Sequence, residues 1–280
     1  MILDHARAAV LVGANLVFLV AAPAHAADAS GWDGTQRSAV RLLAGSRVDG
    51  GTTLRAGVEM RLAPGWKTYW RYPGDSGIPP RFDFSGSQNV KSVAVGWPAP
   101  QRLTDESGTS IGYKHDVTFP LEVTPQDPAK PVTLAAAVDY GVCEKLCVPA
   151  DAKLELMLDG KPSTQDANLA DARARVPKPA SLGQDGALSV RTAKREGSHV
   201  AVDVAYPAGA PLDLFAEGPA PDWALPAPSP VAGAPAGQQR FTFELDGLPS
   251  GTKPDGATLL LTAVAGGQAI EVPFRLDSAN

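Results

Sequence analysis

Cysteine is nearly absent from this chain: there are two in 280 residues, Cys143 and Cys147, with three residues between them. A pair that close cannot staple distant strands. In the chain-entropy picture a closed loop of about five residues contributes about 2 kcal/mol, against about 4 to 5 kcal/mol for a loop of about a hundred. Three intervening residues still put both sulfurs on one loop or helical turn, within reach of each other. A bond there can be made and broken without disturbing a fold, which is what a redox relay requires. A local staple and a soft-metal site built on paired thiolates are the alternatives.

Other shortages narrow the class. Aromatic residues are 6% of the chain while Gly and Pro number 28 and 26, which suits a turn-rich β protein better than a helical bundle. Basic charge is short as well, 25 Lys and Arg against 30 Asp and Glu, and the acidity argues against nucleic acid as a partner. Long apolar runs are confined to the start. After Arg7 a largely apolar stretch, 8–22, leads to Ala24-His25-Ala26, the small-x-small pattern of a signal peptidase site. It is shorter than the roughly 20 apolar residues of a membrane span, and no later stretch approaches that length. Residues 1–26 are therefore expected to be a cleaved secretory signal and the remainder a soluble exported protein, not itself membrane-spanning. For a bacterial source that means the periplasm, where disulfides persist.

Histidine is scarce too: beyond residue 26 there are only His115 and His199. Gly74-Asp75-Ser76-Gly77 reads like the nucleophile stretch of trypsin-like proteases. That triad needs a histidine base, which in that family comes first in the chain. Only His5 and His25, both in the signal, precede Ser76. The stretch reads instead as a Gly-rich turn.

What is present is β patterning. Leu54, Ala56, Val58, Met60 and Leu62 alternate with mostly polar neighbours over 53–62, a half-buried strand. Further strands are expected at 66–72, 81–84, 90–96, 117–123, 132–140 and 153–158, separated by turn residues at sandwich-like intervals. In 163–176, Leu169, Ala172 and Val176 can share a helical face, ended by Pro177 and Pro179. Beyond it 188–193, 199–206, 212–217, 240–245, 258–264 and 268–276 again read as strands, with Val200, Val202, Val204 and Tyr206 on one face. An Ala-, Pro- and Gly-dominated stretch, 219–237, interrupts them and contains Trp223. The expected fold class is all-β: a first sandwich over 37–160, a short helical linker over 161–184, and a second, smaller sandwich over 185–280. The second half shows no metal-ligand cluster, phosphate loop or carboxylate pair, so no cofactor is expected and its role is docking or spacing.

Several separated motifs carry a resemblance. Gly65-Trp66-Lys67-Thr68-Tyr69-Trp70-Arg71 is followed by Pro73-Gly74-Asp75-Ser76-Gly77. Gly112-Tyr113 leads to Phe119-Pro120-Leu121, and Val138-Asp139-Tyr140 runs into the cysteine loop and Pro149. In that order, from about Ser38 to Leu158, they resemble the amino-terminal periplasmic domain of the DsbD and ScsB transmembrane thiol:disulfide reductases. The resemblance implies an immunoglobulin-like sandwich with a redox-active cysteine pair near one end. It implies thioredoxin-fold periplasmic partners and a separate membrane-embedded electron donor. By position Cys147 would form the mixed disulfide and Cys143 would resolve it. A mobile cap loop matching 101–113 would shield the sulfurs, with Gly108 and Gly112 as hinges, Leu103, Ile111 and Tyr113 as cover, and Asp105 and Glu106 as acids near the thiols. Tyr69 and Tyr140 match tyrosines near that site. The spacing of three is closer to ScsB-like members than to the five of the best-known DsbD, and the cap phenylalanine is missing. The membrane and thioredoxin-like domains of those reductases are not among the 280 residues.

Around the cysteines, Lys145 favours thiolate and Glu144 opposes it, while Leu146, Val148 and Pro149 supply a stiff apolar surround for a partner. Two competing functions follow from the same pair. One is ScsB-like copper tolerance, with Cu(I) held by the thiols of Cys143 and Cys147, although only Met60 and Met157 could add soft ligands beyond the signal. The other is a non-catalytic binding sandwich whose disulfide trims a loop.

Overall fold

The structure, a computed structural model, describes residues 27–74, 77–105 and 108–277, with Asp105 described by its backbone alone. The expected signal (1–26), Asp75, Ser76 and Glu106 lie outside the described residues.

Eleven strands build the first half: β1 Asp33–Gly34, β2 Ser38–Arg47, β3 Leu54–Leu62, β4 Lys67–Gly74, β5 Arg81–Asp83, β6 Val90–Val95, β7 Gln101–Asp105, β8 Gly108–Tyr113, β9 Val117–Pro125, β10 Val132–Cys143 and β11 Cys147–Leu158. Two sheets result, in the orders β1-β2-β3-β9-β6 and β11-β10-β4-β8-β7, with β5 added beside β4 on β10. Alternation explains how they face each other. On β10, Val132, Leu134, Ala136, Val138, Tyr140 and Val142 are buried, and on β3 so are Leu54, Ala56, Val58, Met60 and Leu62. Successive side chains point to opposite faces of a strand, so each set lines one inner face, and the two meet in a shared core.

A helix, α1 Asp166–Ala174, follows. It is more than a connector. Leu169 and Ala172 are buried where the helix lies on the outer face of β2, β3 and β9. Gly57 makes the room: a Cβ there would lie 2.6 Å from a methyl of Leu169. Asp166 holds the helix start, accepting from the backbone N–H of Ser46 at 2.7 Å and of Ser163 at 3.0 Å.

The second half contributes β12 Lys178–Pro179, β13 Ser189–Glu196, β14 His199–Ala205, β15 Leu212–Glu217, β16 Ser229–Val231, β17 Gln238–Glu244, β18 Thr258–Ala265 and β19 Gln268–Arg275. They form two four-stranded sheets, β12-β19-β18-β15 and β13-β14-β17-β16. Val200, Val202 and Val204 are fully buried, as their alternation requires, and Tyr206 is half-buried. The 219–237 stretch is anchored by the buried side chains of Trp223 and Leu225 and supplies β16. Among the described residues the fold is all-β with one short α-helix. Among the described residues no helix is long and apolar enough to cross a membrane.

Candidate functional site

The two cysteines face each other across the tip of the β10–β11 hairpin. Twelve consecutive cross-strand pairs, from Val132↔Leu158 to Cys143↔Cys147, bring them into register, and the exposed turn Glu144-Lys145-Leu146 closes the end. They form a disulfide with Cα atoms 4.1 Å apart. The sulfurs are not equivalent: Cys143 is 2% exposed, whereas Cys147 is open to solvent. Leu146 beside it is 75% exposed.

Tyr69 on β4 lies against the bond. Its hydroxyl is 2.6 Å from Cys143 Sγ and 3.2 Å from Cys147 Sγ. A disulfide sulfur carries no proton, so the hydroxyl is the donor. The ring reaches this position because its neighbours on the outer face lack side chains. Tyr69 pairs with Gly112 on β8, and a Cβ on Gly141 would stand 3.4 Å from the Tyr69 ring and 2.8 Å from Ile78 Cβ. Gly77, in the backbone region that favours glycine (φ +148°), closes the other side, where a Cβ would come within 2.4 Å of the ring.

Lys67 and Ile78 complete the surround. Lys67 pairs with Cys143 between β4 and β10, which puts the two side chains on one face about 5 Å apart at Cβ. It is buried, and its ammonium donates to Ser110 Oγ at 3.2 Å. Ile78 accepts a backbone hydrogen bond from Gly141 at 3.0 Å and leaves its side chain 43% exposed. A groove of about 370 Å³ runs alongside, between Glu144 on the tip and Leu103 on β7, with Lys67, Lys114 and His115 along it.

The residues expected around the cysteines divide. Tyr69 touches both sulfurs. Leu103 is buried on the same sheet face, since it pairs with Ser110 while Gln101 and Tyr69 pair with Gly112. Tyr140 does not line the site. It is three positions from Cys143, an odd offset that places it on the opposite face of β10, where its hydroxyl meets Ser38 Oγ at 3.0 Å in the core. Burial raises its pKa, and the Ser38 bond only partly opposes that. Ile111 and Tyr113 also point into the core. The Tyr113 hydroxyl donates to Pro98 O at 2.8 Å, and burial holds its pKa well above the usual tyrosine value.

The expected cap loop is a β-hairpin. Residues 101–105 and 108–113 form β7 and β8, and β8 is bonded to β4. Gly112 sits inside the ladder, paired with Tyr69 and Gln101, where a Cβ would be 2.0 Å from Thr68 O. Asp105 pairs by its backbone with Gly108 at the hairpin end; its side chain and Glu106 lie outside the description. Lys67, Ile78 and Gly141 belong to the site although none was singled out for it from sequence. Their signal was the cross-strand register, which periodicity alone does not supply.

A soft-metal site finds no added ligands here. Met60 is in the core, and Met157 faces solvent on β11, ten residues from Cys147. Among the described residues no group of three or more His, Cys, Asp or Glu side chains could hold a metal ion.

Comparison with known proteins bears directly on this hairpin. Residues 39–159 match the family described as thiol:disulfide interchange protein DsbD, N-terminal. This segment is therefore similar to a DsbD N-terminal domain. Its boundaries enclose β3 to β11 and nearly all of β2, and so the whole site. Among solved structures, the chain is similar to the N-terminal periplasmic domain of ScsB from Proteus mirabilis, at 22% identity and a TM-score of 0.70. That likeness covers 90% of this chain and 99% of the other, so the shared fold extends past the DsbD-type domain into the second sandwich. No curated protein matches.

Proposed function

We propose that the DsbD-type domain is a periplasmic thiol:disulfide interchange module that relays electrons through Cys143–Cys147 to or from thioredoxin-fold partners. The observation that carries this reading is the asymmetry of the pair: Cys147 is an exposed residue, and Cys143 is buried against a hydroxyl donor.

Exchange is an in-line attack of a thiolate on a sulfur through a mixed disulfide. When the domain is reduced, a partner thiolate attacks Cys147 Sγ. The bond to Cys143 breaks, and the electron pair leaves on Cys143 Sγ. The Tyr69 O–H bonds to that leaving thiolate, and the Lys67 ammonium sits on the adjoining strand. Cys143 then takes a proton, the partner's second thiol attacks its own sulfur in the mixed disulfide, and Cys147 is released. In the reverse direction Cys147 attacks the partner's disulfide and Cys143 resolves the adduct. Exposed Leu146 and Ile78 give the partner an apolar rim around the reacting sulfur.

The test is a trap. A Cys143→Ser variant keeps Cys147 free but has no resolving thiol, so it should accumulate a mixed disulfide with a thioredoxin-fold protein, visible on a non-reducing gel and lost on reduction. Cys147→Ser should trap little, because its remaining thiol is buried. Absence of an adduct with every periplasmic thioredoxin-fold protein offered would overturn the proposal.

A further inference from the structure

Immediately after Tyr69, three consecutive residues of β4 turn to the second sandwich. The Trp70 ring lies 5.9 Å from that of Phe215. Arg71 donates to both oxygens of Glu217, at 2.8 and 2.7 Å, and also to Glu271. The Tyr72 hydroxyl donates to Leu225 O at 2.8 Å. Over this stretch the ladder with β8 is interrupted, its pairs falling at Tyr69 and then at Gly74 with a register shift between. Where a strand lacks a continuous ladder, its path is set by whatever else holds it. Here that is the second sandwich.

The other wall of the site is tied to the same body. Arg102 on β7 donates to Asp213 Oδ1 at 3.1 Å and to the carbonyls of Leu214 and Pro228 at 3.2 and 2.9 Å. Those bonds anchor the hairpin that carries Leu103 and Gly112 at the flank of Tyr69. The Arg71 side chain is about a quarter exposed, and its two carboxylates less. Ion pairs withdrawn from water this far hold geometry in a way that exposed pairs do not. Burial opposes the Arg71 charge, but its bonds and proximity to Glu217 and then Glu271 outweigh that and keep it protonated.

We propose that the second sandwich is a positioning element of the redox site. By gripping Arg71 it fixes the strand that aims the Tyr69 hydroxyl at the sulfurs, so Arg71 is a positioning residue that acts through Tyr69. This deepens the interchange reading and rests on it. In the step where the partner's sulfur bonds to Cys147 and the electron pair passes to Cys143, the hydroxyl must already point at Cys143. Hydrogen bonds weaken steeply once the donor tilts, so a loosened β4 would cost rate without any change at the cysteines.

The experiment is a double-mutant cycle on the full chain, pairing Arg71→Gln with Tyr69→Phe. Two readouts apply: the rate of disulfide reduction by dithiothreitol and by a thioredoxin, and the pH profile of iodoacetamide alkylation of the reduced protein. Arg71→Gln should slow reduction about 3- to 10-fold, the size of one lost net hydrogen bond, and shift the alkylation profile to higher pH. In the Tyr69→Phe background the same substitution should change neither. Arg71→Lys, which keeps the charge but not the fork, should fall between. A full Arg71→Gln effect that persists without the Tyr69 hydroxyl overturns the proposal, as does no effect in a folded variant. If Arg71→Gln does not fold, Glu271→Gln takes its place with the same two outcomes. A wild-type chain inert toward thioredoxin-fold proteins would sink the interchange reading alone, because the dithiothreitol and alkylation arms need no physiological partner.

Discussion

Tyr69 reaches the sulfurs because a tyrosine ring is long enough to span a strand spacing when the residues beneath it are glycines, and here Gly112 and Gly141 are. Removing only its hydroxyl should slow dithiothreitol reduction of the pair about 3- to 10-fold while the disulfide still forms, because one hydrogen bond to the leaving sulfur is lost. Stopped-flow reduction of Tyr69→Phe measures this. Tyr140→Phe should do the opposite. It strands the buried Ser38 hydroxyl and should lower the unfolding free energy by about 1 kcal/mol in a urea titration, with the reduction rate unchanged. The contrast was partly legible in the sequence. Both tyrosines resemble site residues of the family, but strand parity separates Tyr140 from Cys143 as soon as 132–143 is taken as one continuous strand. For Tyr69 the resemblance pointed to the site but not to the contact with both sulfurs, because no period within 67–74 says which residue of 132–143 it will face.

At the scale of elements, the strands of the first sandwich were legible where one face is apolar and the other polar, as in 53–62 and 132–140. The 101–113 segment reads as a polar loop because its faces are not so sorted. Leu103 is buried outward beside the site while Ile111 is buried inward, so both faces carry apolar residues and period-2 contrast disappears. The helix was legible from Leu169 and Ala172, although it ends at Ala174 and leaves Val176 two residues past its end; its docking was not legible, since that depends on Gly45 and Gly57 more than a hundred residues earlier. Leu169→Ala should therefore cost about 2 to 4 kcal/mol of stability, as for a buried leucine, measured by denaturant unfolding. It should leave the reduction rate untouched, because α1 lies on the sheet that does not carry the cysteines.

Across the whole molecule, two carboxylates make opposite demands on pH. Asp203 accepts from the Arg240 guanidinium at 2.7 and 2.8 Å and from Thr192 at 3.1 Å. The Arg240 bonds come first among the causes that hold its pKa below the ordinary 3.8. Its folded form thus binds a proton less readily than its unfolded form, and its stabilisation is present above that value and lost as pH falls through the depressed one. Glu217, at the contact between the sandwiches, is the reverse. Burial raises its pKa above 4.5, Arg71 opposes this, and Glu271 adds to it. Its contribution is fully present below 4.5 and is lost as pH rises through the raised value. Neither sign follows from the sequence, because Arg71 and Glu217 stand 146 residues apart. The advantage of wild type over Asp203→Asn, read as urea midpoints, should be largest at pH 7 and shrink below about pH 3.8. Wild type compared with Glu217→Gln should instead gain ground as pH falls from 7 to 4, and a gap constant across that range would mean that Glu217 is not buried against Arg71 as described.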